Sequence, residues 1–182
     1  MVRFSFAILI GMKITIYTDG SSRGNPGPGG WASIIITETE VLELGGGEKV
    51  TTNNRMELMG AIKGLKEVST HMHIEAVEVC TDSEYVKKGM TEWIEGWIKK
   101  GWKTSTKKPV LNQDLWEVLY AEEKRLKDEG IKVSWTYVKA HVGIPLNERA
   151  DTIATSCADE EQNSSASNLQ LYRGSKSEYP YF

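Results

Sequence analysis

Alternation of apolar and polar residues is the clearest pattern along this chain. Short runs rich in β-branched side chains alternate in this way and are bounded by turn-forming residues, as is typical of β-strands. Five runs of this kind are predicted as strands: residues 12–18, 31–37, 41–45, 73–81 and 131–139. The first three are separated by short turns, one of them rich in Gly and Pro, so we expect them to form a meander.

A second pattern, with apolar residues three or four positions apart, predicts helices between these strands. The helices are predicted over residues 55–68, 83–90, 91–100, 112–129 and 147–158. The string Thr51-Thr-Asn-Asn54 supplies N-cap candidates for the first helix, and Gly130 is placed to end the long fourth one. The order of elements predicts an α/β fold, with a five-stranded mixed β-sheet flanked by α-helices, in one domain spanning residues 12–158.

Both ends of the chain depart from these patterns. Residues 1–11 are interpreted as an N-terminal extension: they are apolar with one Arg, but they lack a convincing signal-peptide cleavage site, so we expect a cytoplasmic protein. Residues 159–182 turn to Ser, Asn and Gln and are predicted to be a disordered tail that activity does not require. The Ser-Glu-Tyr-Pro-Tyr-Phe end of this tail is a candidate docking peptide for another protein.

Composition fits a single globular domain. The chain has 182 residues, of which 40% are hydrophobic and 26% charged, enough for one sizeable core. None of its apolar runs is long enough to span a membrane, and we expect a monomer. Cys80 and Cys157 lie in apolar runs without partners at metal-site spacing, which favours reduced, buried thiols.

Charge is distributed unevenly. The net charge is −3, yet the window from Lys87 to Lys108 carries +5 and leaves −8 for the rest of the chain. A local basic patch on an acidic protein indicates a docking place for a polyanion.

Two of the predicted strands end in the same way. Asp19 follows Ile-Tyr-Thr and Asp82 follows Val-Cys-Thr, and each precedes a turn. If the two strands are parallel neighbours in register, the two positions lie about 4.8 Å apart. Two carboxylates that close are unfavourable unless a cation joins them. Oxygen ligands without thiols or paired histidines favour Mg²⁺ or Mn²⁺.

Two further acids are candidates to complete such a site. Glu57 lies one turn into the first helix, and the small residues Gly60, Ala61 and Gly64 share its face, so that this helix can approach the sheet closely. Asp151 lies beside the apolar stripe of the last helix and therefore points partly inward, where a lone charge would be costly. A cage of carboxylates suits two metal ions that catalyse an in-line phosphoryl displacement.

Several strings around these acids resemble the signature of type 1 ribonucleases H. They are Tyr17-Thr-Asp-Gly-Ser21, Gly24-Asn-Pro-Gly-Pro-Gly-Gly30, Thr51-Thr-Asn-Asn-Arg-Met-Glu-Leu-Met59, Thr81-Asp-Ser-Glu-Tyr85, Gly101-Trp-Lys-Thr104, Val138-Lys-Ala-His141 and Asn147-Glu-Arg-Ala-Asp151. The resemblance runs in order from about Lys13 to Ala158. It implies the ribonuclease H-like fold, in which the basic segment from Lys87 to Lys108 forms a protruding handle.

The same resemblance implies an activity. A ribonuclease H is an endonuclease that hydrolyses the RNA strand of an RNA–DNA hybrid with two Mg²⁺ ions, Mn²⁺ being possible, and leaves 5′-phosphate and 3′-hydroxyl ends. Asp19, Glu57, Asp82 and Asp151 match the four metal-binding carboxylates. His141 matches a histidine that aids proton transfer or product release, a role that suits a histidine side chain because its ordinary pKa lies near neutral pH.

Substrate contacts are also implied by the resemblance. They are expected at the 2′-hydroxyl and groove edges (Asn25, Asn53, Asn54), at a DNA-strand phosphate (Thr52, Asn112), at the deoxyribose strand (Tyr85, Trp97, Thr104, Ser105) and on the handle (Lys99, Lys100). Trp93, by contrast, is expected to pack in the core. Glu84 stands where many relatives carry Gln. Because an acid cannot donate to a base edge and repels phosphate, we do not expect that contact here. Ala140 stands where Gly is more usual, and we expect it to stiffen the loop before His141.

Two other functions remain open from sequence alone. The first is a different nuclease or integrase of the same broad superfamily that acts on DNA. The basic segment and the string Asn53-Asn-Arg-Met-Glu57 argue against it, and cleavage of a hybrid but not of duplex DNA would exclude it. The chain is also compatible with a hybrid-binding module without catalytic activity, although all four acids are present.

Overall fold

Six strands form one mixed sheet in the computed structural model, which describes residues 11–69, 73–140, 142–163 and 169–182. The strands are β1 (Met12–Ser22), β2 (Gly27–Ile36), β3 (Glu40–Thr51), β4 (Ile74–Thr81), β5 (Lys132–Tyr137) and β6 (Leu169–Ser175). Their order across the sheet is β5-β4-β1-β2-β3-β6. The predicted meander of β1, β2 and β3 is present, and the predicted N-terminal extension lies mostly outside the described residues.

Both faces of the sheet are covered, which is why β2 is buried along most of its length. Successive residues of a strand point to opposite faces, and β2 shows this directly. Ile35 packs in one hydrophobic core together with α1 (Asn53–Glu67) and α4 (Gln113–Asp128). Ile34 and Ile36 pack in a second core together with α5 (Pro145–Asn163).

The two short helices predicted between β4 and α4 are one nearly continuous helical segment. It consists of α2 (Glu84–Lys88), a π-helical turn over Gly89–Trp93 and α3 (Ile94–Lys99). Gly89 allows the close packing here, because a Cβ at this position would stand 2.0 Å from the ring of Trp116. A π-turn inserts an extra residue into a helix, and such turns are frequent at functional sites.

The prediction of a disordered tail beyond residue 158 is wrong for the residues that the structure describes there. The helix α5 continues to Asn163, and β6 pairs antiparallel with β3. Tyr179 is buried in the second core, so its ring is not exposed for docking. The polar composition was misleading because this segment is ordered by distant partners, namely the edge of β3 and the surface of α5.

Within the described ranges, no helix combines the length and the apolar character that crossing a membrane would require.

Candidate metal centre

The carboxyl ends of β1 and β4 bring the first two predicted acids together. The strands are parallel, and Thr18 of β1 lies opposite Thr81 of β4. Asp19 is the next residue of β1, which continues to Ser22, and Asp82 directly follows the end of β4, so the two acids lie side by side. Asp19 is buried and Asp82 is half-buried, so the register inferred from the repeated Thr-Asp ending is the one observed.

Glu57 reaches the same point because α1 approaches β1 at backbone contact distance. A Cβ at Gly20 would stand 2.1 Å from the Glu57 nitrogen, and a Cβ at Gly60 would stand 2.7 Å from the carbonyl oxygen of Ala32. Only glycine fits such approaches without displacing backbone. The small residues on one face of α1 therefore bring the Glu57 side chain to the strand ends.

Three carboxylates form a compact cluster as a result. One oxygen each of Asp19, Glu57 and Asp82 lies within 4.8 Å of the others. The Gly20 N–H donates to Asp19 Oδ1 at 2.7 Å, and Asn53 Nδ2 donates to Glu57 Oε1 at 3.2 Å. The second oxygen of Glu57 is buried without a hydrogen-bond partner among the described residues.

The electrostatics of the cluster disfavour ionisation of all three carboxyl groups in the absence of a cation. Burial, together with the charge of Asp82, raises the pKa of Asp19 to about 8. Burial, followed by the charges of Asp19 and Asp82, also raises the pKa of Glu57 well above its usual range. Desolvation and like charges both penalise the ionised forms, and a bound divalent cation would reverse that penalty.

Asp151 on α5 adds a fourth acid at the edge of the cluster. It falls outside the group of three, but it lies close enough to Asp19 to contribute to the raised pKa of that acid through its charge and a hydrogen bond. Buried oxygen ligands, one of them unpartnered, and mutually repelling carboxylates together fit a divalent metal ion.

Asn147 is a site residue that the sequence analysis did not select. Its Nδ2 donates to Asp82 Oδ2 at 3.1 Å, and the side chain is buried with its Oδ1 unpartnered among the described residues. The sequence did contain a signal for this role. Asn147 lies four residues before Asp151, and residues at this spacing share a helix face.

An aromatic cluster stands beside the N-terminus of α1. Trp97 packs against Trp93 and Trp116 at ring-centroid distances of 5.6 and 5.4 Å, and Tyr85 packs against Trp116 at 5.1 Å. Trp93 and Trp97 are both half-buried. The expected core position of Trp93 is therefore not observed, and Trp97 is the one packed against the main core. The contact of Trp97 with the DNA strand stays a prediction.

Two grooves open on this cluster and contain most of the expected substrate contacts. The larger one, about 580 Å³ in volume, is lined in part by Asn54, Tyr85, Trp97 and Thr104. The second is lined in part by Trp97, Lys100, Lys103, Thr104 and Ser105. Lys99 does not share that position: it pairs with Glu95 at 3.9 Å on the surface of α3.

The remaining expected contacts occupy the entry to α1 and nearby turns. Thr52 caps α1 by accepting from the Arg55 N–H. Asn112 precedes α4 in a left-handed conformation and donates to the Tyr85 hydroxyl at 3.2 Å. Asn25 is exposed in the turn between β1 and β2.

Comparison with known proteins decides the family. The family model for RNase H matches residues 11–159. The chain belongs to the ribonuclease H family. Curated bacterial relatives include a "Ribonuclease H" of Chromohalobacter salexigens, 50% identical over 82% of this chain and 87% of its own. Another is a "Ribonuclease HI" of Caulobacter vibrioides, 52% identical over 78% of this chain and 90% of its own. Together they confirm the type 1, bacterial kind of RNase H.

Solved structures of RNases H share the fold. LC9-RNase H1, described as a type 1 RNase H with the type 2 active-site motif, superposes with a TM-score of 0.72 at 27% identity, over 88% of this chain and 78% of its own. An N-terminal RNase H domain from Mycobacterium tuberculosis gives 0.61 at 27% identity, over 84% of this chain and 98% of its own. The predicted ribonuclease H-like fold is confirmed, with six strands in place of five.

The two departures from the RNase H pattern are Glu84 and Ala140, and Ala140 is half-buried in a turn directly before His141. Glu84 is exposed and forms an ion pair with Lys88 at 2.5 Å, which lowers the pKa of Glu84 and offsets part of its repulsion toward phosphate. His141 lies outside the described residues. In the loop after it, the Gly143 N–H donates to Glu148 Oε1 at 2.9 Å.

Proposed function

We propose that this chain hydrolyses the RNA strand of RNA–DNA hybrids with Mg²⁺, leaving 5′-phosphate and 3′-hydroxyl ends. The observation that carries the proposal is the cluster of Asp19, Glu57 and Asp82 within 4.8 Å, in a chain that belongs to the ribonuclease H family.

The ligand set supports Mg²⁺ as the metal. Carboxylate oxygens are hard ligands of the kind that Mg²⁺ and Mn²⁺ prefer, and among the described residues the cluster contains neither a thiol nor an imidazole. Asp19, Glu57 and Asp82 would hold the metal, with Asp151 next to Asp19. Held by these acids, two such ions would supply the activation of a water and the stabilisation of the leaving oxygen of the phosphodiester.

The residues of the chain supply orientation and proton handling. The Gly20 N–H fixes one oxygen of Asp19, while Asn53 and Asn147 fix one oxygen each of Glu57 and Asp82. This leaves the other oxygens free to turn toward a ligand. His141, through its resemblance to the family's loop histidine, would carry a proton or help the product leave.

Hybrid binding is proposed for the surface beside the cluster. Asn53 and Asn54 stand at the start of α1, where Asn53 already touches Glu57, so that donors able to reach an RNA 2′-hydroxyl lie next to the acids. The grooves along Trp97 would take the DNA strand. One structural neighbour with the same fold, LC11-RNase H1, was solved in complex with an RNA/DNA hybrid.

We also infer that the protein acts as a monomer in the cytoplasm. All four acids come from one chain, so that no partner subunit is needed to complete the cluster.

The test is a cleavage assay on end-labelled substrates. An RNA–DNA hybrid, duplex DNA and duplex RNA of one sequence are incubated with the protein, with Mg²⁺ or with EDTA. Cuts in the RNA strand of the hybrid alone, and only with Mg²⁺, support the proposal. Cleavage of duplex DNA would favour a DNA nuclease, and binding of the hybrid without any cleavage would favour a non-catalytic module.

A further inference from the structure

Glu43 is a buried acid that lies outside the metal centre. It is on β3, its exposed fraction is 2%, and the Arg149 guanidinium of α5 donates to both of its oxygens at 2.7 and 2.8 Å. The Tyr179 hydroxyl also donates to Glu43. Tyr179 belongs to the C-terminal strap, which we define as residues 169–182.

The strap encloses this ion pair from the outside. Besides the Tyr179 hydroxyl on Glu43, the Tyr181 ring stands 5.5 Å from the Arg149 guanidinium. Burial works against the ionised form of Glu43, but the hydrogen bonds from Arg149 and Tyr179 outweigh it and lower the pKa of Glu43. A buried charge held in this way is destabilised when either partner is lost, so the strap and α5 depend on each other.

The same turns of α5 carry residues of the metal centre. Arg149 lies midway between Asn147, which donates to Asp82, and Asp151, which lies beside Asp19. Each step along an α-helix turns by about 100°, so Arg149 projects away from the face that Asn147 and Asp151 share. Holding Arg149 against β3 therefore fixes the rotation of the helix at the point where those two residues meet the acids.

We propose that Tyr179 is a positioning residue for the metal centre: through Glu43 and Arg149, the strap holds the first turns of α5 so that Asp151 and Asn147 meet Asp19 and Asp82. The strap lies outside the residues that the family model matches, so this support would be an addition to the shared domain. The inference rests on the proposed metal site.

A strap that only shields the edge of β3 from pairing with other chains would contribute to stability alone. The two roles differ in what they change. A shielding strand alters the unfolding temperature and the tendency to aggregate, whereas a positioning contact alters the affinity of the folded protein for metal.

The test measures metal binding without substrate, with Mn²⁺ as the probe and free Mn²⁺ determined by electron paramagnetic resonance. The full-length variants are Tyr179→Phe, which removes only the hydroxyl, and Glu43→Gln, which removes the charge. Tyr172→Phe is the matched control, because it removes a hydroxyl from the same strap while both partners of Glu43 remain. Circular dichroism establishes that each variant is folded at the temperature of the measurement.

We expect Glu43→Gln to weaken Mn²⁺ binding about tenfold, the lower end of what the loss of a partner that orients a metal ligand typically costs. Tyr179→Phe should weaken it by a smaller factor, because Arg149 still holds Glu43. Tyr172→Phe should bind as wild type does. In the hybrid assay, Tyr179→Phe should lower kcat when metal is limiting. At high metal concentration kcat should return to the wild-type value, and KM for the hybrid should not change.

A folded Tyr179→Phe protein with wild-type Mn²⁺ affinity would overturn the proposal, even if it unfolds at a lower temperature. If Glu43→Gln does not fold, Tyr179→Phe decides alone. Asp82→Asn separates this inference from the proposed function: if wild type and Asp82→Asn bind Mn²⁺ equally, the metal centre itself is wrongly assigned and the positioning role falls with it.

Discussion

Gly60 of α1 lies against Asp19 of β1 so closely that a Cβ at Gly60 would stand 3.0 Å from the Asp19 carbonyl oxygen. The contact is between two backbones, since Gly60 has no side chain and the facing atom is a carbonyl. It sets the distance between the helix that carries Glu57 and the strand that carries Asp19. The metal centre therefore depends on a packing contact as well as on its ligands.

Substituting Gly60 tests this contact. We expect Gly60→Ala to lower the free energy of unfolding by about 1–3 kcal/mol, the usual cost of overpacking, because backbone oxygens of Ala32 and Asp19 face the new methyl group. Urea unfolding measures the change. The control is Gly96→Ala in α3, where a Cβ meets nothing within 4 Å and helix propensity favours Ala by up to about 1 kcal/mol. Equal effects at the two positions would contradict the account.

The raised pKa values of the cluster predict how the metal-free protein responds to pH. The pKa of Asp19 is raised to about 8 by burial and by Asp82, so the folded state binds protons more tightly than the unfolded chain. This contribution to stability is complete below the ordinary carboxyl pKa and is lost as the pH rises through about 8. We expect the unfolding temperature without metal to fall from about pH 4, near the ordinary carboxyl pKa, to about pH 8 and to level off at higher pH, as that linkage requires.

Mg²⁺ should raise the unfolding temperature most at the upper end of this range, where the carboxylates are ionised and bind it best. Asp19→Asn removes the titrating group and should flatten the dependence on pH. Thermal unfolding scans with EDTA or Mg²⁺ provide the measurement. If Asp19→Asn leaves the pH dependence of the unfolding temperature unchanged, ionisation of Asp19 is not the cause of the loss of stability in the metal-free protein.

The handle lysines should act on substrate binding rather than on the chemical step. Lys100 and Lys103 line the groove beside Trp97, so changing both to Ala should raise KM. It should also flatten the slope of log affinity against log salt concentration, by a little under one for each phosphate that is no longer neutralised. The rate at saturating hybrid should change little, because the acids are untouched. Lys99→Ala, at a lysine paired with Glu95, is the matched comparison and should have a smaller effect. A fall in kcat at unchanged KM would contradict this division.

The sequence predicted the parts of the fold that local pattern controls. Strands β1 to β5 and the long helices have clear periodicity, and the repeated Thr-Asp endings indicated the register that brings Asp19 beside Asp82. The glycines on one face of α1 correctly predicted its close approach to the sheet. These features depend on neighbours in sequence and on general rules of sheet geometry.

Features that depend on distant partners were missed. The strap looks polar in sequence, and the contacts that order it, such as Tyr179 with Glu43, join residues far apart in the chain. Asn147 was overlooked because its role depends on Asp82, which lies on a different element. The packing of Trp97 against Trp116 likewise depends on the π-turn that precedes α3, which no periodicity in the sequence predicts.

The central claim is that the clustered carboxylates hold the metal that hydrolyses RNA in a hybrid, and Asp82→Asn tests it most directly. The substitution removes one charge from the cluster and keeps a side chain that fills the same space, so the fold should remain. RNA cleavage of a labelled hybrid in Mg²⁺ is measured for wild type and variant, with circular dichroism of both. We expect a folded variant without detectable cleavage. A folded Asp82→Asn protein that cuts the RNA strand at the wild-type rate would contradict the claim.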